Sequence, residues 1–119
     1  MTSNKDMAIL FKMIESLRKA GNWTGETSIH KAFYILHKLM NVDIRYSFTL
    51  YLHGPFSFEL RDDICKYVAY DFIKLEYESA NYGPKHNLTE ASKNFLEKHK
   101  RLITDYDQKI ENVCNLIKT

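Results

Sequence analysis

The apolar residues of this chain switch repeatedly between helical and alternating spacing, and the order of these switches constrains the fold most. Helical spacing predicts four helices, at about residues 3–20, 27–40, 58–70 and 90–118. Ser57 and Thr89 are suitable N-caps for the third and fourth helices. A break near 101–104 would divide the last helical segment into two.

Alternating spacing predicts three strands between these helices. The first strand, over 45–53, is expected to be half-buried, and a turn over 53–57 follows it. Its apolar side chains Phe48, Leu50 and Leu52 would face the core. The other two strands, over 72–78 and 85–88, would form a hairpin around a turn at 81–84.

The order helix, helix, strand, helix, hairpin, helix suggests an α+β, winged-helix-like fold. Helices one to three would form a trihelical core, the hairpin over 72–88 would be a small antiparallel β-sheet or wing, and the C-terminal helices would be an extra segment. We expect one domain over 1–119, with an N-terminal helix and loop (1–26), core helices and wing (27–89), and C-terminal helices (90–119).

Composition narrows the class of protein without giving a function. Hydrophobic residues make up 45% of the chain and aromatic residues 13%, which excludes a disordered protein. Cys65 and Cys114 are far apart and form no CxxC unit, which fits a reducing compartment. No signal peptide is recognisable, and no apolar run approaches the roughly 18 residues of a membrane span. We therefore expect a cytoplasmic protein without a membrane partner.

Two apolar features have more than one interpretation. The tail stripe is spaced like a short coiled-coil seam, so it could pack on the first helix or form a homodimer through the C-terminal helix; its members are Ile103, Tyr106, Ile110, Val113 and Ile117. Trp23 lies in a polar loop, where we expect it to fold back as a lid on the core rather than mark an interface.

Three short motifs occur in order along the chain. They are Thr27-Ser-Ile-His-Lys-Ala-Phe-Tyr-Ile-Leu, Tyr51-Leu-His-Gly-Pro-Phe-Ser-Phe-Glu-Leu and Leu88-Thr89-Glu90. As an ordered set, they resemble motifs of YwgA-like and Panacea-type bacterial proteins, over about residues 24–96. This resemblance implies a winged-helix fold and an antitoxin- or adaptor-like module that holds a protein partner. The chain departs from the pattern at His53, where an aromatic residue is common, and in its longer helical tail.

A face of the second helix combines cations with an aromatic residue. Lys31, Tyr34 and Lys38 are three and four residues apart, and they are expected to share this face with His30 and His37. Such a face suits a phosphate or an acidic protein surface, while a solvated helix face is the simpler interpretation. We predict a protein-interaction module whose partner-binding residues are Lys31, Tyr34, Lys38, Arg61 and Lys66.

A dimeric DNA-binding transcriptional regulator is the alternative. Against it, the third helix has three carboxylates and two cations, and Asp62 and Asp63 would repel phosphates. In its favour, five cations face only two carboxylates between residues 85 and 101. The nucleic-acid-binding candidates are Lys85, Lys93, Lys98, Lys100 and Arg101.

The sequence contains no pattern typical of an enzyme or a metal protein. Its five histidines are dispersed and match no zinc spacing. His30 and His37 would lie about 10 Å apart on a helix, too far to share a metal without other ligands. Ser57 is explained by helix capping more simply than by a nucleophile pair with His53. We therefore predict no enzymatic activity, no cofactor and no metal.

Overall fold

A computed structural model describes residues 3–78 and 83–117. This part of the chain is α+β, with five α-helices, two short 3₁₀ turns and two antiparallel sheets of two strands each. The helices are α1 (Asn4–Lys19), α2 (Glu26–Lys38), α3 (Phe58–Ala69), α4 (Glu90–Lys98) and α5 (Asp107–Leu116). The strands are β1 (Thr49–Tyr51), β2 (Gly54–Phe56), β3 (Ile73–Glu76) and β4 (Lys85–Leu88). The 3₁₀ turns are Lys100–Leu102 and Thr104–Tyr106.

Helix α1 occupies the centre of the molecule. Its buried residues cover most of its circumference; they are Ala8, Ile9, Leu10, Phe11, Met13, Ile14, Ser16 and Leu17. A helix that is apolar on nearly all sides is stable only when other elements surround it. Here α5, α4, α2 and β4 all pack against α1.

The C-terminal helix belongs to this core. Ile103, Ile110, Val113 and Ile117 are buried, and α5 packs on both α1 and α2. Of the two interpretations of this stripe, packing on the first helix is therefore the one that the structure shows, because four of its five residues are buried within the chain. The predicted break before the last helix is confirmed by the two 3₁₀ turns.

The predicted helix ends agree closely with the structure. Ser57 accepts a hydrogen bond from the backbone N–H of Leu60 at 3.2 Å, so it caps α3 as expected. Thr89 caps α4 in a reciprocal arrangement with Ser92. Helix α2 instead begins after Gly25, which provides no side-chain cap.

The predicted half-buried strand over 45–53 is wrong in extent and in burial. The segment predicted as a turn supplies β2, which pairs with β1 around a loop of Leu52 and His53. Leu50 is 69% exposed and Leu52 is 100% exposed. The reason is that β1 pairs only with β2, while α2 packs chiefly against β2.

The second hairpin is confirmed as an antiparallel pair. Leu75 pairs with His86, and Ile73 pairs with Leu88. Directly opposed residues share a face, so these four form the inner face of the hairpin. Strand β3 packs against α3 and β4 packs against α1. Part of the predicted turn over 81–84 lies outside the described residues.

Within the described ranges, no helix combines the length and apolarity needed to cross a membrane.

Truncation of a core residue in α5 tests whether this helix belongs to the core. Ile110→Ala should lower the free energy of unfolding by about 2–5 kcal/mol, because it leaves a cavity against α1. Leu116→Ala in the same helix should change it by no more than about 0.5 kcal/mol, since Leu116 is exposed. Urea denaturation measures both, and equal effects would contradict the packing.

Candidate binding surfaces

A groove of about 1010 Å³ opens between the loop that joins α1 to α2, helix α3 and the β3–β4 hairpin. Its apolar wall residues are Trp23, Ile64, Val68, Leu75 and Pro84. Glu26, Arg61 and Lys85 lie among them. The volume reaches the upper end of the range of roughly 300–1,000 Å³ typical of ligand sites.

Trp23 forms a wall of this groove instead of a lid on the core. The ring is half-buried, and its Nε1–H donates to the carbonyl oxygen of Gly83 at 3.3 Å. The ammonium of Lys85 lies 4.5 Å from the ring centroid, a favourable cation–π geometry. These contacts connect the loop before α2 to the start of β4.

The same loop is anchored at both ends. The amide of Asn22 donates to the backbone carbonyl of Cys114 in α5 at 3.1 Å. The backbone N–H of His86 donates to the carbonyl of Thr24 at 2.8 Å. Thr24 has a φ of 55°, a conformation that a β-branched residue adopts only under constraint from its surroundings. The groove wall is therefore held in a strained conformation by contacts to two other elements.

The acidic residues of α3 do not form the phosphate-repelling pair predicted from the sequence. Asp63 is buried, accepts hydrogen bonds from Arg45 at 3.0 and 3.1 Å, and accepts another from the hydroxyl of Tyr46 at 2.8 Å. Lys66 lies 3.7 Å from the same carboxylate. Asp62 alone of the pair is exposed. The predicted partner-binding role of Lys66 thus competes with its contact to Asp63.

Arg61, one of the predicted contact residues, lines the groove. Its guanidinium is more than half exposed and lies 3.9 Å from the carboxylate of Glu26. It also lies 5.9 Å from the ring centroid of Phe56.

The predicted α2 face is exposed at its two cations. Lys31 and Lys38 are exposed, and Tyr34 between them is half-buried with its ring edge-on to Phe48 at 5.6 Å. Among the described residues, neither lysine has a carboxylate within 4.0 Å. The five predicted contact residues therefore divide into this α2 face, Arg61 at the groove, and Lys66 beside Asp63.

His30 does not belong to the α2 face, so its predicted placement there is wrong. It is 1% exposed and stacks on Phe56 with 4.5 Å between ring centroids. Its Nδ1 accepts from the backbone N–H of Ser57 at 3.0 Å, which places the proton on Nε2. Burial, with Arg61 and His86 adding to it, lowers the pKa of His30 to about 4.

His86 is the second buried histidine. Its Nδ1 lies 3.2 Å from the carbonyl oxygen of Thr24, and its side chain lines the groove. Burial lowers its pKa as well.

The predicted nucleic-acid cations lie on three separate elements. Lys85 is in β4 and contacts Glu78 at 3.1 Å, while Lys100 follows α4 and contacts Glu97 at 3.3 Å. Lys93 and Lys98 are exposed on α4. Five positions separate those two lysines, so they project about 140° apart around the helix. Arg101 is exposed in the first 3₁₀ turn.

Sequence reasoning missed most of the groove. Leu75 lies within a predicted strand and Val68 within a predicted helix, and nothing in the apolar spacing of these two segments distinguishes a groove wall from the core. The Trp23 loop was the one signal available, since an indole in a polar segment needs either burial or a ligand.

In the described ranges, no group of three or more His, Cys, Asp or Glu side chains could hold a metal ion.

Comparison with protein-family models, curated proteins and solved structures finds no match to this chain. The resemblance to YwgA-like and Panacea-type proteins stays a prediction.

Protonation of His30 should destabilise the fold in mild acid. The folded pKa of about 4 lies below the ordinary 6.5, so this contribution to stability is complete above pH 6.5 and decreases as the pH falls towards 4. Between pH 7 and 5 it should decrease by about 2 kcal/mol. His30→Gln should flatten the pH dependence of the unfolding free energy. His53→Gln, in the exposed hairpin loop, should not, and identical pH profiles for the two variants would contradict the assignment.

The two cysteines should differ in reactivity. Cys65 is exposed and lines the groove, whereas Cys114 is buried, and burial raises its pKa to about 12. Iodoacetamide should therefore alkylate one thiol of the native chain, and Cys65→Ser should abolish that reaction. Mass spectrometry counts the alkylated thiols per chain, and denatured protein is the control in which both thiols react.

Proposed function

We propose that this chain is a non-enzymatic protein-binding module, antitoxin-like or adaptor-like, that holds an extended apolar segment of a partner protein in the groove. The observation that most supports this proposal is the groove itself, whose walls bring together Trp23, Val68 and Leu75. The open outer edge of β3 is a second feature suited to an extended segment, because an open edge offers backbone hydrogen bonds to an added strand.

The open edge follows from the hydrogen-bond pattern of the hairpin. In an antiparallel pair, residues alternate between those that bond to the partner strand and those that point away from it. The N–H of His86 points away from β3, since it donates to Thr24. Leu75, its pair, must therefore direct its own N–H and C=O away from β4. Among the described residues, these two backbone groups have no hydrogen-bond partner.

The groove favours apolar side chains. An extended segment in the groove would lie over Leu75 and His86 on the inner face of the hairpin and would face Val68 and Ile64 of α3. Trp23 supplies an aromatic wall of the kind that contributes most to binding energy in protein interfaces. Arg61 and Lys85 are positioned to contact polar or acidic groups that flank the apolar segment.

The groove offers little for catalysis. The imidazole of His86 is buried and engaged with the Thr24 carbonyl, and Arg61 is beside Glu26. Among the described residues, Cys65 has no hydrogen bond to a side chain that could act as its base, and covalent catalysis by a thiol needs such a base. These placements favour binding over chemistry.

A winged-helix fold remains part of this proposal, supported by the order of α1, α2, α3 and the β3–β4 hairpin. A dimeric DNA-binding regulator is the alternative on the same topology. It has weaker support, because two of the five candidate cations contact carboxylates and the tail stripe is not available as a dimer seam.

Peptide selection tests the proposed function. A displayed library of random peptides, selected on the immobilised chain, should yield apolar motifs that occupy the groove. The selected peptides should change the fluorescence of Trp23, the single tryptophan of the chain. Val68→Arg should weaken their binding by roughly 2 kcal/mol or more, because it places a charge in an apolar wall.

The matched control is Leu116→Arg, which adds the same charge at an exposed position of α5. Equal weakening by both variants would contradict groove binding. Selection of no groove-binding peptide, together with salt-dependent binding to duplex DNA, would favour the regulator instead.

A further inference from the structure

The N-terminal turn of α2 lies at the wall of the groove without a side-chain cap. Residues 25–28 all line the groove, and the N-cap residue, Gly25, has no side chain that could accept a hydrogen bond. The backbone N–H groups of Glu26, Thr27 and Ser28 have no acceptor among the described residues. A capping side chain commonly satisfies such groups, as it does in α1, α3 and α4. The turn therefore offers unused donors together with the positive end of the helix dipole.

The hydroxyl of Ser28 points independently to a ligand at this turn. Ser28 is 8% exposed, yet its hydroxyl makes no hydrogen bond within the described part of the chain. Buried hydroxyl groups nearly always have a partner, since an unpaired one costs free energy. Because Ser28 lines the groove, an acceptor atom placed there would complete the hydrogen bonding of this hydroxyl and of the N–H groups beside it.

The charges around the turn decide which acceptor fits. The Nε atom of Arg61 lies 3.9 Å from the Glu26 carboxylate, beyond hydrogen-bonding distance, and the Arg61 side chain is 56% exposed. Its terminal nitrogens can therefore donate to a pair of oxygens in the groove. Lys85 lies beside Glu78 instead. Glu26 opposes a dianion more strongly than a monoanion, so a carboxylate fits this turn better than a phosphate group.

We propose that the first turn of α2, with Ser28 and Arg61, is a carboxylate-binding subsite of the groove. This inference rests on the proposed function and specifies the partner: the apolar segment in the groove places an aspartate or glutamate side chain at the turn. The N–H groups of the turn and the Ser28 hydroxyl donate to that carboxylate, and Arg61 pairs with its charge from α3. A side chain is assigned because the segment then needs only to pass the turn, whereas a C-terminal carboxylate would require it to end there.

A small carboxylate tests the subsite without any peptide. Phenylacetate, titrated into the isotope-labelled chain at millimolar concentrations, should shift the backbone amide NMR signals of Glu26, Thr27 and Ser28 until they saturate. The matched neutral compound, phenylacetamide, should bind at least roughly fivefold more weakly. Arg61→Gln should weaken phenylacetate binding by a similar factor. Lys93→Gln removes the same charge from an exposed position of α4 and should leave binding within about twofold. Equal binding of the two compounds would overturn the subsite.

The peptides selected for the groove test the same contact within a segment. Synthesised with amidated C-termini, they should share an aspartate or glutamate, and its replacement with the corresponding amide should weaken binding at least roughly tenfold. Ser28→Ala should weaken the acidic peptide severalfold and leave the amide peptide within about twofold, a difference that general destabilisation would not produce. Glu26→Gln should strengthen binding of the acidic peptide, because it removes an opposing charge.

The outcomes distinguish this subsite from the proposed function. Groove peptides that bind equally with the acid and with its amide would overturn the subsite and leave the groove as a peptide site. Saturable phenylacetate binding without any groove-binding peptide would overturn the proposed function and retain a carboxylate site. Peptides that bind only with a free C-terminus would overturn the assignment to a side chain.

Discussion

Burial of α1 on nearly all sides is the constraint on which the remaining structure depends. Four other elements must close around this helix, and the C-terminal helix is among them. The loop after α1 therefore emerges at a fixed place, between α5 and β4, and its hydrogen bonds from Asn22 and to Thr24 hold it there. The groove wall formed by Trp23 is a consequence of how the core closes, and so is the position of the β3–β4 hairpin opposite α3.

The groove and the exposed face of α2 differ in how their polar groups are engaged. In the groove, Arg61 and Lys85 lie near carboxylates, so the proposed binding there would depend mainly on apolar contact. On the face of α2, Lys31 and Lys38 have no such neighbours among the described residues, so charge would contribute more there. Long-range attraction mainly accelerates association, whereas apolar burial mainly slows dissociation. A partner that used both surfaces would combine these effects.

The sequence predicts local structure well wherever local rules decide it. Helical spacing located the helices, Ser57 and Thr89 were identified as caps, and the β3–β4 pair was anticipated. Burial of Leu50 was predicted wrongly, because alternation reveals that a strand has two faces but not whether a layer covers one of them. The burial of His30 and the walls of the groove depend on which elements pack together. The spacing of residues within one segment does not reveal such packing, so the sequence could not predict either feature.

The hydrogen bond from Asn22 to the Cys114 carbonyl joins a groove wall to the final helix of the chain. The residues of α5 do not line the groove, yet any event that frays this helix removes the hydrogen-bond acceptor that orients the Trp23 loop. The shape of the groove is thereby linked to the integrity of α5, and a change that frays this helix would be communicated to the Trp23 loop from outside the groove.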